Sequence, residues 1–396
     1  MKFEKKVLPN GLTILHEKRD VPVTTVMLAV KYGSAFETEP EKGIAHFIEH
    51  MCFKGTEKRT THQIAEEVEK VGGDLNAFTS EEVTAYHSKI PSEHLALAME
   101  VIFDIFFNAS FPKDALARES SVICEEIKMY RDNPRAHVTE RIKNNLYKKP
   151  FGMFIAGTEE NVKGMTREQL LEKHRKIYVP QNSILCVVGN NDFSEIISLA
   201  EKLCVNRSGE KLSIPKIEKQ NIKEVEKRGG ISQANLAIGF HFPKLDEKER
   251  YSAEVFSAIL GEGMSSKLFV EVREKKGLVY SVKTEIDAGK SYSYFMIWAG
   301  TDQEKVSEVI DICLKEFAKM AQISEKELEE AKIQVIGNQK LKLEDSRETA
   351  TNLILEEINS GAEEYYKFEE RINSVTLEDL KKLSEKSTYS TFVLSP

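Results

Sequence analysis

Residues 43–55 contain two histidines and a glutamate whose spacing suits metal chemistry: His46, Glu49 and His50. An α-helix has about 3.6 residues per turn, so side chains four residues apart leave the same face, one turn apart. His46 and His50 therefore have the spacing that two ligands of one ion require. Glu49 lies close enough to reach a water bound to that ion, without being a ligand, and to accept its proton. The spacing predicts a catalytic metal site on a helix.

The other residues of this segment are almost all apolar. A helix of that composition is mostly buried, because it presents an apolar side chain in nearly every direction. Burying three ionisable groups without a partner is costly, and a divalent cation removes most of that penalty. The alternative is a solvated helix face on which the histidines and the glutamate pair with one another. The apolar surroundings favour the metal site.

A third ligand is predicted on a second helix, because catalytic zinc takes three protein ligands and keeps an open position. Residues 111–132 form the candidate helix and include Glu119, Glu125 and Glu126. Glu126 shares the apolar stripe of this helix, and Glu119 lies on the same stripe two turns earlier, whereas Glu125 lies about 100° away. Glu126 is the candidate ligand, and Glu119 is the candidate partner that orients a histidine or the water. Without the histidine pair, Glu126 would be interpreted as a surface residue.

An internal repeat organises the chain. The helix-like segment 165–174 and the apolar segment 183–189 that follows it match 375–383 and 390–395, about 210 residues later. Two further pairs have nearly the same offset: residues 93–107 with 304–320, and 111–132 with 324–345. Self-similarity at one offset indicates two copies of a single α/β unit.

The two copies predict an α+β fold with two homologous α/β sandwich domains, each a mainly antiparallel sheet with helices packed on one face. The predicted domains are residues 1–204, which carry the metal site, and residues 228–396. Between them, residues 205–227 are polar and show little apolar periodicity, which is typical of a linker.

Composition and charge narrow the classes of partner. The net charge of −8 argues against nucleic acid or an anionic membrane as the main partner. No signal peptide is recognisable, and no apolar run approaches the roughly 18 residues that would cross a bilayer. The five scattered cysteines are those of a protein with buried thiols in a reducing compartment, so a cytoplasmic location is predicted.

The order His46-x-x-Glu49-His50, followed by the pair Glu119 and Glu126, resembles the M16 or inverzincin metallopeptidases. This family includes pitrilysin, insulin-degrading enzyme and the mitochondrial processing peptidases. The similarity extends through residues 72–86, which in the family form an edge strand that binds the substrate as an added strand. The resemblance implies that three residues of this strand bind the peptide: Asn76, Ala77 and Phe78.

The second copy is similar to the substrate-gripping half of the family. Residues 261–269 resemble its glycine-rich turn, and Arg273 with Tyr280 resembles its Arg/Tyr pair. The resemblance implies that both side chains hold the substrate and steady the tetrahedral intermediate. The repeat places no metal ligand in this copy: the counterpart of Glu126 falls near Gly337. A short, two-domain, bacterial-type member that carries both motifs on one chain is expected to form a homodimer.

The sequence as a whole predicts a hydrolase, a zinc-dependent endopeptidase acting on peptides or unfolded polypeptide segments. His46, His50 and Glu126 hold Zn²⁺, and Glu49 acts as the general base. One alternative is a catalytically inactive peptide-binding or scaffold subunit of the same family. Another is a metal enzyme like S-ribosylhomocysteine lyase, with Cys124 as third ligand. The ligand set also accepts manganese, iron or cobalt.

Overall fold

The computed structural model describes residues 2–396, whose strands form two sheets. The first sheet has the order β1-β2-β6-β3-β5-β4 and the second has the order β7-β11-β8-β10-β9. The strands are β1 (Lys2–Val7), β2 (Thr13–Lys18), β3 (Val23–Val30), β4 (Asp74–Thr79), β5 (Thr84–Pro91), β6 (Ser183–Gly189), β7 (Lys223–Lys227), β8 (Ala234–His241), β9 (Val279–Ala288), β10 (Ser293–Thr301) and β11 (Ser390–Ser395). All neighbours are antiparallel except β2 with β6 and β7 with β11.

Helices account for much of the remaining chain. They are α1 (Ile44–Cys52), α2 (Thr61–Glu69), α3 (Leu95–Phe107), α4 (Lys113–Asp132), α5 (Pro134–Leu146), α6 (Glu159–Gly164), α7 (Arg167–Ile177), α8 (Phe193–Leu203), α9 (Arg250–Gly261), α10 (Val306–Lys319), α11 (Glu325–Lys342), α12 (Ser346–Asn359), α13 (Phe368–Asn373) and α14 (Leu377–Ser384). A π-helical turn spans Phe269–Lys275. Within residues 2–396, no helix combines the length and the apolarity needed to cross a membrane.

The first compact unit contains residues up to Ile127 together with Phe154–Pro215 and Lys342–Tyr365. Its sheet is buried on both faces, which explains the nearly continuous apolar sequence of β3. One face packs against the main core, to which α1, α2 and α3 contribute. The other face is covered by α12, whose Leu353 and Ile354 pack against residues of β3 such as Met27. The metal-site candidates of the sequence lie in this unit.

The second compact unit contains Lys128–Met153, Lys216–Leu341 and Tyr366–Pro396. Its sheet packs on one face against a core that includes α9, α10 and α14. On its other face, α5 contacts β8 and β11. Both units thus have the same plan, and the predicted α+β class with mainly antiparallel sheets is confirmed. The single helix on the second face of each sheet is a feature that the sequence did not predict.

The two units are not contiguous in sequence. Helix α5 lies within the predicted domain 1–204 but belongs to the second unit, and α12 lies within 228–396 but belongs to the first. The predicted linker 205–227 ends in β7, which pairs in parallel with β11. An apolar periodicity shows that a helix has a face to bury, but it does not specify which sheet will cover that face.

Candidate metal centre

Helix α1, which carries both histidines, begins at a point fixed by a glycine. Gly43 precedes the helix with φ of 98°, in the left-handed region. A Cβ at this position would lie 2.4 Å from the carbonyl oxygen of Ala156, so the close approach of these two backbones requires glycine. The start of the ligand helix is therefore set by backbone contact with residues that lie far away in sequence.

A buried carboxylate completes the start of α1. Glu37 accepts hydrogen bonds from the N–H groups of Gly43 (Oε2, 3.0 Å) and Ala45 (Oε1, 2.8 Å). These are N–H groups for which a helix has no internal acceptor, and the positive end of the helix dipole favours a carboxylate there. Glu37 thereby fixes the axial position of the helix that carries the metal-ligand candidates.

Glu37 is paired with Lys42, and both side chains are fully buried. Their charged atoms are 3.7 Å apart, and Lys42 also donates to the backbone oxygen of Ser34 at 2.9 Å. Burial raises the pKa of Glu37 to about 7, against the opposing influence of Lys42 and the two N–H donors. Sequence reasoning missed this pair. The available signal was an acidic residue shortly before a predicted helix start.

The predicted ligands meet at one point. Nε2 of His46 and Nε2 of His50 each lie 3.6 Å from Oε2 of Glu126. One ligand atom from each of the three residues lies within 4.8 Å of the others. Donors placed about 2.1 Å from a tetrahedral zinc ion are about 3.4 Å apart, so the three groups fit such an ion. Nδ1 of His46 is buried and has no hydrogen-bond partner among residues 2–396.

The electrostatics of the three groups suit a cation. Burial, reinforced by the neighbouring His50, lowers the pKa of His46 to about 4, which leaves this imidazole neutral as metal binding requires. Burial also opposes charge on His50, but its hydrogen bonds to Glu126 and Glu119 outweigh that effect and raise its pKa. The hydrogen bond from His50 lowers the pKa of Glu126. A metal ion would take the place of the proton between Nε2 of His50 and the carboxylate of Glu126.

Glu119 contacts His50 rather than joining the ligand group. Nδ1 of His50 donates to Oε2 of Glu119 at 3.2 Å, which leaves Nε2 facing Glu126. The other oxygen of Glu119 lies 2.9 Å from Nζ of Lys54, a residue that the sequence reasoning did not select. The contact between Glu119 and His50 is of the kind that fixes the tautomer and the ring orientation of a metal-binding histidine.

Glu49 lies on α1 and is half-buried. Its Oε2 accepts a hydrogen bond from the hydroxyl of Thr79, at 2.5 Å. Burial raises the pKa of Glu49, and the hydrogen bond from Thr79 opposes this rise. Glu49 directly precedes His50 on α1, and its raised pKa favours proton exchange near neutral pH.

The predicted peptide-binding residues lie on β4, at one edge of the first sheet. Within the described chain, β4 pairs only with β5, so its other side offers main-chain groups to an added strand. Asn76 is exposed, and Ala77 and Phe78 are half-buried. The structure thus places all three on a free sheet edge in the same unit as the histidines.

Arg273 and Tyr280 lie together in the second unit. The guanidinium of Arg273 sits over the rings of Phe269 and Tyr280, 4.6 Å and 5.6 Å from their centroids. Tyr280 lies in β9 and is 79% exposed. Such stacking holds a guanidinium in place while its N–H groups remain available.

Cys124, the third ligand in the lyase-like alternative, is buried and is not part of the three-residue group. The group contains Glu126 instead, two residues further along α4. The phase of the helix explains this selection, because Cys124 and Glu126 point about 160° apart.

Comparison with known proteins identifies the class. Residues 12–159 match the family model of insulinase (peptidase family M16), and residues 164–335 match the model of the peptidase M16 inactive domain. A Rickettsia bellii protein named an uncharacterized zinc protease is 36% identical over 347 residues, which cover 85% of this chain and 82% of the relative. The uncharacterized zinc protease YmxG of Bacillus subtilis is 33% identical over 340 residues, covering 85% and 83%. The chain belongs to the M16 peptidase family.

Solved structures agree with this fold. The crystal structure of a protease from Helicobacter pylori matches with a TM-score of 0.91 and 24% identity, covering 100% of this chain and 99% of the other. A structure from Pseudomonas fluorescens, described as a peptidase M16 inactive domain, matches with a TM-score of 0.90 and 19% identity, covering 100% and 98%. At these identities, the matches show the fold alone.

Proposed function

We propose that this protein is a zinc-dependent endopeptidase that hydrolyses peptides or unfolded polypeptide segments. The observation that carries the proposal is the convergence of His46, His50 and Glu126, with ligand atoms within 4.8 Å of one another. The helix that supplies both histidines also supplies Glu49. Two imidazole nitrogens and a carboxylate oxygen form a donor set of the kind found in catalytic zinc sites. The names of the relatives, zinc proteases, support the same metal.

When bound, zinc would supply Lewis acidity, which lowers the pKa of a water and polarises a peptide carbonyl. Glu49 accepts the proton of the attacking water and delivers it to the nitrogen of the leaving amine. The Thr79 hydroxyl occupies Oε2 of Glu49, and Oε1 accepts no hydrogen bond from residues 2–396, so Oε1 is the oxygen that handles the proton. Glu119 holds the ring of His50 through Nδ1.

The peptide is bound through its main chain along β4. The main chain of Ala77 faces the open side of β4, because its N–H donates to Oδ1 of Asn76 at 2.8 Å and not to β5. A substrate strand added here would exchange N–H···O=C bonds with Ala77, with Asn76 and Phe78 on either side of it, so that affinity depends little on side-chain identity. We assign Arg273 and Tyr280 to substrate binding on the family resemblance. A guanidinium donates to peptide carbonyl groups, and a phenol hydroxyl donates to a developing oxyanion.

The test is peptide cleavage, measured by mass spectrometry on an unstructured peptide with and without a chelator. We expect cleavage that the chelator abolishes and added zinc restores. Glu49→Gln should retain zinc and reduce kcat by about 10³-fold, in the range of general acid–base contributions. A fully active Glu49→Gln protein would remove the mechanism. Peptide binding without cleavage in the zinc-loaded wild type would instead establish the peptide-binding subunit.

A homodimer in the cytoplasm is the assembly that we infer for this enzyme. The metal-ligand helix and the Arg273/Tyr280 pair are both present on one chain, so two identical chains supply every family motif. No disulfide joins the five cysteines, all of which lie in the described part of the chain, and reduced thiols accord with a reducing compartment. Light scattering coupled to size-exclusion chromatography gives the molar mass that decides between one chain and two.

A further inference from the structure

Thr79 is the last residue of the edge strand β4, and strand geometry determines which way it points. Successive side chains of a strand alternate between the two faces of the sheet. Leu75 and Ala77 pack against the core that contains α1, whereas Phe78 packs against the opposite core beneath α12. By the same alternation, Thr79 faces α1. The strand that offers its edge to a peptide therefore directs one side chain toward the helix that carries Glu49.

The hairpin that follows β4 holds Thr79 in place. Thr79 pairs with Thr84 across the sheet, and Ser80 closes the turn by bonding to Val83 through both its N–H and its hydroxyl. Thr84 in turn is fully buried and donates to the backbone oxygen of Tyr32 at 3.0 Å. Thr79 is β-branched, so few rotamers are open to it. The hydroxyl of Thr79 consequently has a fixed position relative to the sheet.

This hydroxyl makes one specific contact, the 2.5 Å hydrogen bond to Oε2 of Glu49. The two residues are 30 positions apart in sequence, so the contact joins the edge strand directly to α1. A carboxylate bound at one oxygen cannot rotate freely about its terminal torsion, and its second oxygen is held in a defined direction. In Glu49 that second oxygen, Oε1, accepts no hydrogen bond from residues 2–396.

We propose that Thr79 is the positioning residue of the general base. It occupies Oε2 of Glu49 and thereby directs Oε1 toward the attacking water. Because Thr79 terminates the strand that binds the peptide main chain, the base and the bound peptide are positioned by the same strand. This inference rests on the proposed peptidase function, in which Glu49 is the base and β4 binds the substrate.

The experiment compares four substitutions in the full-length protein loaded with zinc. Thr79→Val preserves the shape and removes the hydroxyl, and Thr79→Ser keeps the hydroxyl and removes the methyl. Thr79→Ala and Thr79→Ser both lack the methyl group, so a difference between these two variants reports the hydroxyl alone. Glu49→Gln reports whether Glu49 is the base at all. We measure kcat, KM, zinc content and the thermal midpoint of unfolding for each, and peptide Kd in the inactive Glu49→Gln background with and without Thr79→Val.

We expect Thr79→Val and Thr79→Ala to reduce kcat about tenfold, as the loss of a hydrogen bond to a charged group would. Their KM, zinc content and peptide Kd should be unchanged, and Thr79→Ser should stay within about threefold of wild type. Wild-type kcat in both hydroxyl-free variants would overturn the proposal. So would a loss shared equally by Thr79→Ser, or one that follows zinc content, peptide Kd or stability, because each of these marks a merely structural role.

The role of Glu49 as the base and the role of Thr79 in positioning it can be disproved separately. If Glu49→Gln is fully active, the proposed mechanism fails and the role of Thr79 fails with it. If Glu49→Gln is inactive and the hydroxyl-free variants of Thr79 are fully active, only the positioning role fails. Where Thr79→Val lowers the thermal midpoint, the comparison of Thr79→Ser with Thr79→Ala decides the matter.

Discussion

The two units of this protein have the same plan, and within residues 2–396 only the first carries a group of side chains that could hold a metal ion. In the first, α1 and α4 bring together two imidazoles and a carboxylate. In the second, α9 occupies the repeat position of α1, and residues 255–260, which correspond to the ligand positions, include no histidine and no carboxylate. Gly337 of α11 lies close to the position that corresponds to Glu126. The same arrangement of sheet and helices therefore carries a candidate metal centre in one copy and lacks it in the other. Chemistry is set by a few side chains on the fold and not by the fold itself.

The polar groups buried in the first unit show what this chemistry requires. Glu37 and Lys42 fix the start of the ligand helix, and Glu119 holds one histidine ring. Helix α9 also begins without a side-chain cap. A helix that only packs tolerates small displacements, whereas a helix that positions metal ligands does not.

The largest expected effect comes from removing the ligand that the second unit lacks. Glu126→Gln should weaken zinc binding by at least about 100-fold and abolish cleavage, because the three-donor set becomes two imidazoles and a neutral amide. Glu125→Gln is the matched control, since Glu125 is exposed on the same helix. Zinc titration with a chromogenic competitor measures both affinities. Retention of zinc by Glu126→Gln, or its loss from Glu125→Gln, would contradict the assignment of the third ligand.

Removal of the supporting carboxylate should have a smaller effect. Glu119→Gln is expected to reduce zinc affinity or activity by about 10- to 100-fold, as changes to such partners of metal-binding histidines usually do. Lys54→Met should act in the same direction but more weakly, since it removes the cation beside Glu119 and leaves the bond to His50. The same titration measures both. An effect of Lys54→Met larger than that of Glu119→Gln would show that the lysine acts by another route.

Stability of the first unit should depend on the Glu37–Lys42 pair. Above about pH 7, where Glu37 is ionised, Glu37→Gln leaves Lys42 buried without its counter-ion and is expected to cost about 2 kcal/mol or more of unfolding free energy. Chemical denaturation of the metal-free protein measures this loss. Glu39→Gln, a change at an exposed residue of the same segment, serves as the control and should be nearly neutral.

The same residue predicts a pH dependence. The pKa of Glu37 is raised to about 7 by burial, against an ordinary value near 4.5. Between these values the folded state holds a proton that the unfolded state has released, so this group makes unfolding easier as pH rises from about 4.5 to 7. Lys42 limits the effect, and Glu81 strengthens it. Glu37→Gln should therefore show a flatter decline of unfolding free energy across that range, and an unchanged slope would contradict the raised pKa.

The smallest effect is expected in the second unit. Tyr280→Phe removes one hydroxyl from an exposed ring and should reduce kcat/KM about tenfold, the low end for a hydrogen bond to a charged group. Zinc affinity should not change, because the residue lies outside the unit that holds the metal-ligand group. Steady-state kinetics of peptide cleavage measure the loss. A change in zinc content would show that this copy influences the metal centre after all.

Helix periodicity alone determined much of the candidate centre. The four-residue spacing of His46 and His50 and the shared stripe of Glu119 and Glu126 are local properties, because helical geometry relates residues that are near in sequence. The repeat offset likewise predicted two units of one fold class. These inferences needed no knowledge of which elements pack together.

Only the tertiary structure decided what surrounds those residues. The contacts of Glu119 with Lys54, of Glu49 with Thr79 and of Gly43 with Ala156 join segments from separate parts of the chain. The exchange of α5 and α12 between units has the same origin, because an amphipathic pattern specifies that a face will be buried but not its partner. The sequence by itself determined which side chains could bind a metal. The fold determined which groups hold them in place, since side-chain partners across a core depend on packing between distant segments.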